Sequence, residues 1–156
     1  SVLPSDAQIV ATAIQQLNVI MSATHPLAEK KQLRLQDCAA YPIILPRTTG
    51  GIRTLIDVGL LRSSVTLEQT ILSDSYDFMT NYISHEEILG FQIPLGMSPY
   101  LTERQGVVHR TIDSQDVPTG LIHIVQSKGR VLPVAAAKFM DQIVQNLHAE
   151  FEDSAR

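Results

Sequence analysis

The stretch that most constrains this chain runs from Pro42 to Arg53 and reads PIILPRTTGGIR. Its first four residues, Pro42 to Leu45, form an apolar run too short for a helix, and they read as a buried strand. Pro46 to Gly51 then form a polar turn with two threonines and two glycines. Beyond it Ile52, Leu55, Ile56 and Leu60 fall on one helical face. Strand, glycine-bearing turn and helix make one βα step of an α/β sheet. Such sheets collect ligands at the carboxyl ends of their strands, where helix N-termini present unpaired N–H groups. At that mouth Thr48 and Thr49 supply hydroxyls, Arg47 a cation, and Pro46 and Gly50 the turn itself. Spacing alone places a structural role slightly ahead of a ligand role, with Thr49 as a helix cap and Arg47 in solvent.

The rest of the chain supplies more steps of the same kind. Leu17 to Met21 is rich in strand formers, whereas the alanine-rich residues before it fit either helix or strand. His25-Pro26 marks a turn, because a residue before proline avoids the helical region. Glu29 to Arg34 is charged and reads as solvated. Leu35 to Ala40 fits a single helical turn. The helix after Gly51 should end near Leu61, and Val65 to Leu72 reads as a strand. Ser73 fits a helix N-cap with Asp74 and Asp77 in the first turn, ahead of a stripe of Phe78, Met79, Tyr82 and Ile83. Ile88 to Ile93, Val107 to Ile112 and Leu121 to Val125 read as strands, the last one buried. Pro133 opens a long helix with Ala136, Phe139, Met140, Ile143, Val144, Leu147 and Phe151 on one face. Strands alternating with helices predict an α/β protein with a mixed sheet.

Composition removes several functions. A net charge of −4 and a pI near 5.6 argue against a nucleic-acid footprint on this chain. No apolar run reaches the length of a membrane span, so no membrane partner is expected, and Ser1 to Asp6 do not resemble a secretory signal. A single cysteine, Cys38, rules out an internal disulfide and a cysteine metal cage and fits a cytoplasmic setting. With no initiator methionine the chain is expected to be a fragment or a processed product. No phosphate loop, dinucleotide fingerprint, H-E-x-x-H or nucleophile elbow is present, and the acids form no recognisable dyad. His25 reads as structural, His85 as a surface helix end and His123 as a satisfied sheet histidine; His109 and His148 read as exposed. Neither catalysis nor a metal or cofactor is expected.

An ordered set of segments then resembles a known family. The set is His25-Pro26-Leu27-Ala28, LQDC at 35–38 before the Pro42 strand, IRTLID at 52–57, LGFQIP at 89–94, and LIHIVQSKGRVLPVAAAKF at 121–139. Over nearly all of residues 9–148 the chain resembles the effector-binding domain of LysR-type transcriptional regulators. The resemblance implies an α/β fold like the type 2 periplasmic binding proteins, with two subdomains around a cleft and the first subdomain incomplete. It places the end of the first subdomain and a crossover strand at 1–22, the second subdomain at 23–100, and a return crossover with the rest of the first at 101–156.

The resemblance implies a ligand-sensing domain that takes a small, anionic metabolite in the cleft and modulates a homodimer or homotetramer on DNA. DNA contact would come through an N-terminal winged helix-turn-helix absent from this chain. It carries effector contacts over to Pro46, Arg47, Thr48, Thr49 and Gly50. Ser22 and Thr24, with Met21, match a second cleft-lining stretch, and Pro94 and Gly96, with Leu95, a third. Two departures stand out. The opening βαβαβ of the family's effector domain is not in this chain, and Ile88-Leu89-Gly90 replaces the family's usual Gly-x-Gly, with Pro94 one place early. The alternative function is a stand-alone solute-binding protein of the same fold.

Overall fold

The structure is a computed structural model, and it describes residues 3–47, 50–97 and 106–151. The described strands are β1 (Ala7–Gln15), β2 (Asn18–Ser22), β3 (Gln32–Leu33), β4 (Ile43–Leu45), β5 (Gln69–Leu72), β6 (Leu89–Gln92), β7 (Val107–Ile112) and β8 (Gly120–Ser127). The α-helices are α1 (Leu35–Cys38), α2 (Gly51–Ser63), α3 (Tyr76–Ile83) and α4 (Val134–Phe151), and short 3₁₀ turns occupy Pro26–Glu29 and Pro94–Gly96. The chain folds into two compact units, Ser1–Ile14 with Leu121–Arg156, and Gln15–Gly120. These divisions fall at 14/15 and 120/121, whereas the resemblance placed them after residues 22 and 100. The reason is that β2 and β7 are both integral to the sheet of the second unit.

That sheet has the strand order β3-β7-β2-β6-β4-β5. β2 runs antiparallel to both β6 and β7, and the pairs β3–β7, β4–β6 and β4–β5 are parallel. The C-terminal ends of β3, β7, β6, β4 and β5 therefore share one edge with the start of β2. The end of β2, at Ser22, lies on the opposite edge.

The pleat sorts the apolar residues onto two faces. Val19, Met21, Ile43, Leu45, Leu89 and Phe91 pack with Leu35, Cys38, Ile56 and Val117 on one face. Ile20, Ile44 and Ile88 pack with Met79 and Ile83 of α3 on the other. With both faces covered, β4 is buried throughout, and that is why it reads as an unbroken apolar run. Fully burying a side chain such as Ile56 contributes roughly 2 kcal/mol. α2 comes so close to the link after β7 that a Cβ at Gly59 would stand 2.5 Å from Val117 Cγ2.

The alanine-rich residues, which fit either helix or strand, are strand β1, whose inward Ala11, Ala13 and Gln15 alternate with exposed residues. Several other local readings need correction. Leu33, read as solvated, is fully buried in β3. The strand within 65–72 is confined to Gln69–Leu72. β8 is not a buried strand: it pairs with β1 alone among the described strands, and Leu121 and Val125 are exposed. On α4, Leu147 is buried against Ala11 and Ala13, but Phe139 is 68% exposed. In this first unit His123 Nδ1 lies 2.9 Å from Thr12 Oγ1 across the β1–β8 pair, the satisfied sheet histidine that was expected. No helix among the described residues is long and apolar enough to cross a membrane.

Candidate functional site

The carboxyl ends of β4, β5 and β6 open into a cavity of about 280 Å³ in the second unit. Its wall includes Pro46, Gly50, Gly51 and Arg53 from the β4–α2 step. Ser73, Asp74, Ser75 and Tyr76 come from the β5–α3 step, and Gln92 from β6. Two helix starts therefore meet one cavity, and they are finished differently. Ser75 caps α3 by accepting a hydrogen bond from the Phe78 N–H at 3.2 Å. Gly50 is the N-cap of α2, in ordinary extended backbone, and has no side chain with which to accept one. The first-turn amides of α2 and the dipole behind them favour an anion.

Among the described residues the cation in this wall is Arg53. Its Nε donates to Asp57 Oδ1 at 2.9 Å and its Nη1 to the Pro46 carbonyl at 3.1 Å, which ties the turn to the helix. The guanidinium fork has further donors beyond these two. Arg47, expected in that role, has an exposed side chain, and its backbone N–H donates to Asp74 Oδ1 at 3.0 Å. Ser73 is not the cap of α3: it lies two residues before the cap, and its Oγ accepts the Ser75 N–H at 3.2 Å. Gln92 accepts the Ile93 N–H through Oε1 at 2.9 Å.

The other expected residues distribute as follows. Pro46 and Gly50 line the cavity. Thr48 and Thr49 lie outside the described residues. Pro94 and Gly96 sit on the same sheet edge, in the 3₁₀ turn beyond Gln92, where the Leu95 N–H donates to the buried Gln15 Oε1 at 3.0 Å. Ser22 and Thr24 are not brought together with these groups. They lie at the opposite edge of the sheet, with Ser22 Oγ 3.0 Å from Thr24 Oγ1, beside a smaller cavity of about 110 Å³ shared with His25 and residues 84–87. His25 is 2% exposed, and its Nδ1 accepts the Leu27 N–H at 3.1 Å, starting the 3₁₀ turn. That bond needs the neutral ring, and burial moves the His25 pKa down in the same direction, against the pull of Glu87. Arg53, Asp74, Ser75 and Gln92 were missed as site residues. The available signal was the Arg53–Asp57 spacing of four, which fixes an arginine in the first turn of a helix.

At the β3–β7 end of the same edge another helix start is closed by the protein itself. Asp116 is buried and accepts from Arg34 Nη2 at 2.6 Å, Arg34 Nε at 2.9 Å and the Leu35 N–H at 2.8 Å. The bond from Arg34 holds its carboxyl below the usual range, against burial. Burial pushes the Asp37 carboxyl up, but the Lys30 ammonium and the Arg34 N–H outweigh it and the net shift is downward. Nearby Cys38 is fully buried, and its thiol is pushed up to about 12 by burial and by Asp37. That is the state of an inert core thiol. Among the described residues no group of three or more His, Cys, Asp or Glu side chains could hold a metal ion.

Comparison with known proteins agrees with this architecture. Three solved structures show the same fold. The effector-binding domain of QuiR in complex with shikimate has a TM-score of 0.71 at 21% identity, over 97% of this chain and 71% of that one. HinK, a LysR family transcriptional regulator from Pseudomonas aeruginosa, has a TM-score of 0.72 at 19% identity, over 93% of this chain and 49% of that one. The CcmR regulatory domain of Synechocystis in complex with 2-PG has a TM-score of 0.64 at 17% identity, over 94% of this chain and 71% of that one. This chain thus spans about half of HinK and about seven-tenths of the other two. No curated protein matches it. The profile of the LysR substrate binding domain matches residues 4–148, and the chain belongs to that family.

Proposed function

We propose that this chain is the ligand-sensing part of a LysR-type transcription regulator and that it binds a small anionic metabolite at the β4–α2 wall. One observation carries the reading. The N-terminus of α2 faces a cavity of about 280 Å³ with glycine as its cap, beside the Arg53 guanidinium. An acid group there meets backbone N–H donors, the positive end of a helix and a cation. Shikimate and 2-PG are the molecules named with two of the similar domains, and both are acids. The hydroxyls of Thr48 and Thr49 belong to the same proposal. On this reading the molecule senses without turnover, in the cytoplasm, and works as a homodimer or homotetramer. The metabolite occupies the inter-subdomain cleft that family membership implies, and DNA contact belongs to a winged helix-turn-helix outside this chain.

The test is Gly50→Asp. Gly50 has φ −82°, which any residue adopts, and aspartate is a good N-cap. The new carboxylate would occupy the α2 amides and repel an incoming acid. Titration calorimetry with a panel of small carboxylates and phosphates should show affinity falling at least about tenfold, with no loss of thermal stability. Unchanged affinity for every acid that binds the parent chain rules the reading out.

A further inference from the structure

At the opposite edge of the sheet from the β4–α2 wall, a buried donor stands without an acceptor. His25 is 2% exposed, and its Nδ1 accepts the Leu27 N–H at 3.1 Å. The neutral ring therefore carries its proton on Nε2. That nitrogen is buried as well, and among the described residues it meets no hydrogen-bond partner. The ring is held in place: Nδ1 is committed to the 3₁₀ turn, and Tyr41 packs against it with ring centroids 4.4 Å apart. A buried N–H left unpaired is costly, so an acceptor is the missing piece.

His25 lines the cavity of about 110 Å³ together with Ser22, Thr24, Ser84, Glu86 and Glu87. Burial lowers the His25 pKa and Glu87 pulls the other way, which puts the ring in the field of a carboxylate on this same cavity. Ser22 Oγ accepts the Thr24 N–H at 3.3 Å and lies 3.0 Å from Thr24 Oγ1. One of their two hydroxyl hydrogens sits between those oxygens, and the other remains for an outside acceptor. Ser84 donates its own to the Asn81 carbonyl at 2.7 Å. Glu86 and Glu87 are exposed acceptors, and among the described residues no Lys or Arg lines the cavity. The His25 side thus asks for an oxygen, and the glutamate side for N–H groups. A carboxylate meets the first demand and is repelled by the two glutamates. An ammonium meets the second and leaves the His25 N–H unpaired. A primary amide meets both, through its carbonyl oxygen and its NH₂, and carries no net charge.

We propose that this cavity is a second ligand site, which takes a small primary amide with its carbonyl at His25 Nε2 and its NH₂ at Glu86 and Glu87. The site is separate from the α2 start, and the inference stands or falls independently of the anion reading there.

The experiment is long-range ¹H–¹⁵N NMR of the histidine rings in the whole chain, titrated with acetamide, acetate and ethylammonium, which are matched in size. Acetamide should shift the His25 Nε2 resonance and saturate with a Kd of about 1 mM, and the two ions should bind at least about tenfold more weakly. Thr24→Val and Glu87→Gln alter exposed side chains and leave the His25 bond to Leu27 intact. Each should weaken acetamide about threefold, and Glu87→Gln should also narrow the gap between acetamide and acetate. His25→Phe should abolish binding; if it does not fold, the two exposed variants decide. Equal response to all three probes overturns the inference, as does an acetamide affinity unmoved by both exposed variants. So does a shift of the α2 amides with the His25 ring unmoved, or a crystal soaked in acetamide in which water alone sits at Nε2.

Discussion

One edge of the six-stranded sheet carries two helix starts with opposite finishes. At the β3–β7 end the Leu35 N–H of α1 is taken by the Asp116 carboxylate, and the Arg34 guanidinium grips the same carboxylate with two bonds. At the β4–β5 end α2 begins at a glycine, with an arginine beside it and a cavity in front. The ingredients are alike: backbone N–H donors at a helix start, a guanidinium, and the strand-end position. The difference is that the closed end supplies its own carboxylate from a residue 82 positions along the chain, whereas at the open end no side chain among the described residues caps the helix. The closed end is thus an internal example of the contact proposed for a ligand at the open one.

The largest test of this comparison removes the internal carboxylate. Asp116→Ala leaves the fully buried Leu35 N–H without its acceptor, at a cost of about 2 kcal/mol. The half-exposed Arg34 turns to water and adds little. Urea unfolding measures the loss. A change under about 0.5 kcal/mol would mean that the Asp116 contact is incidental, and the analogy with α2 would fail with it.

The two edges of the sheet should also separate under acid. His25 and His109 both have lowered pKa values, each chiefly through burial. In the window from about pH 6.5 downward the unfolded chain takes up protons that the folded one refuses, so stability begins to fall there. Asp116 and Asp37 are lowered as well. Their contribution is complete above the unfolded value of about 3.9 and is lost as pH falls through their folded values, which gives a second and lower limb. His25→Asn, whose side-chain oxygen can still accept the Leu27 N–H, should shrink the first limb only. Asp116→Ala should shrink the second only. Thermal unfolding followed from neutral pH to about pH 3 distinguishes them, and a single limb untouched by either variant refutes the assignment.

How far the sequence anticipates this edge depends on the range of the interaction. The βα step at Pro42 to Arg53 was legible because both of its signals are local: a short apolar run closed by Pro46, and a 3.6-residue apolar period after Gly51. The cap of α3 was misplaced by two residues because Ser73 and Ser75 are equally good caps by type, and only the folded backbone decides between them. That Ser22 and Thr24 lie at the opposite edge from the β4–α2 step was not legible, because strand direction is a tertiary property. β2 runs against its neighbours, so its end is where theirs begin. The Arg34–Asp116 lock was out of reach for the same reason, since nothing near Asp116 marks it as the acceptor of a distant helix start. Leu121 to Val125 shows the limit of composition: an apolar run predicts burial, yet β8 pairs with one strand among the described residues and exposes Leu121 and Val125.

The smallest effect is also the one that most directly makes the open end resemble the closed one. Gly50→Asp gives α2 a covalent carboxylate where α1 uses Asp116, and it should stabilise the parent chain by a few tenths of a kcal/mol. For a chain of this length that corresponds to a melting temperature raised by about 1 °C. The informative quantity is the interaction between this substitution and added ligand. An acid that occupies the parent site raises the melting temperature by mass action, and in Gly50→Asp that increment should disappear because the place is already filled. An increment that persists in full would show that the α2 start is not where the acid goes. The likeness between the two helix starts would then be one of geometry without a shared role.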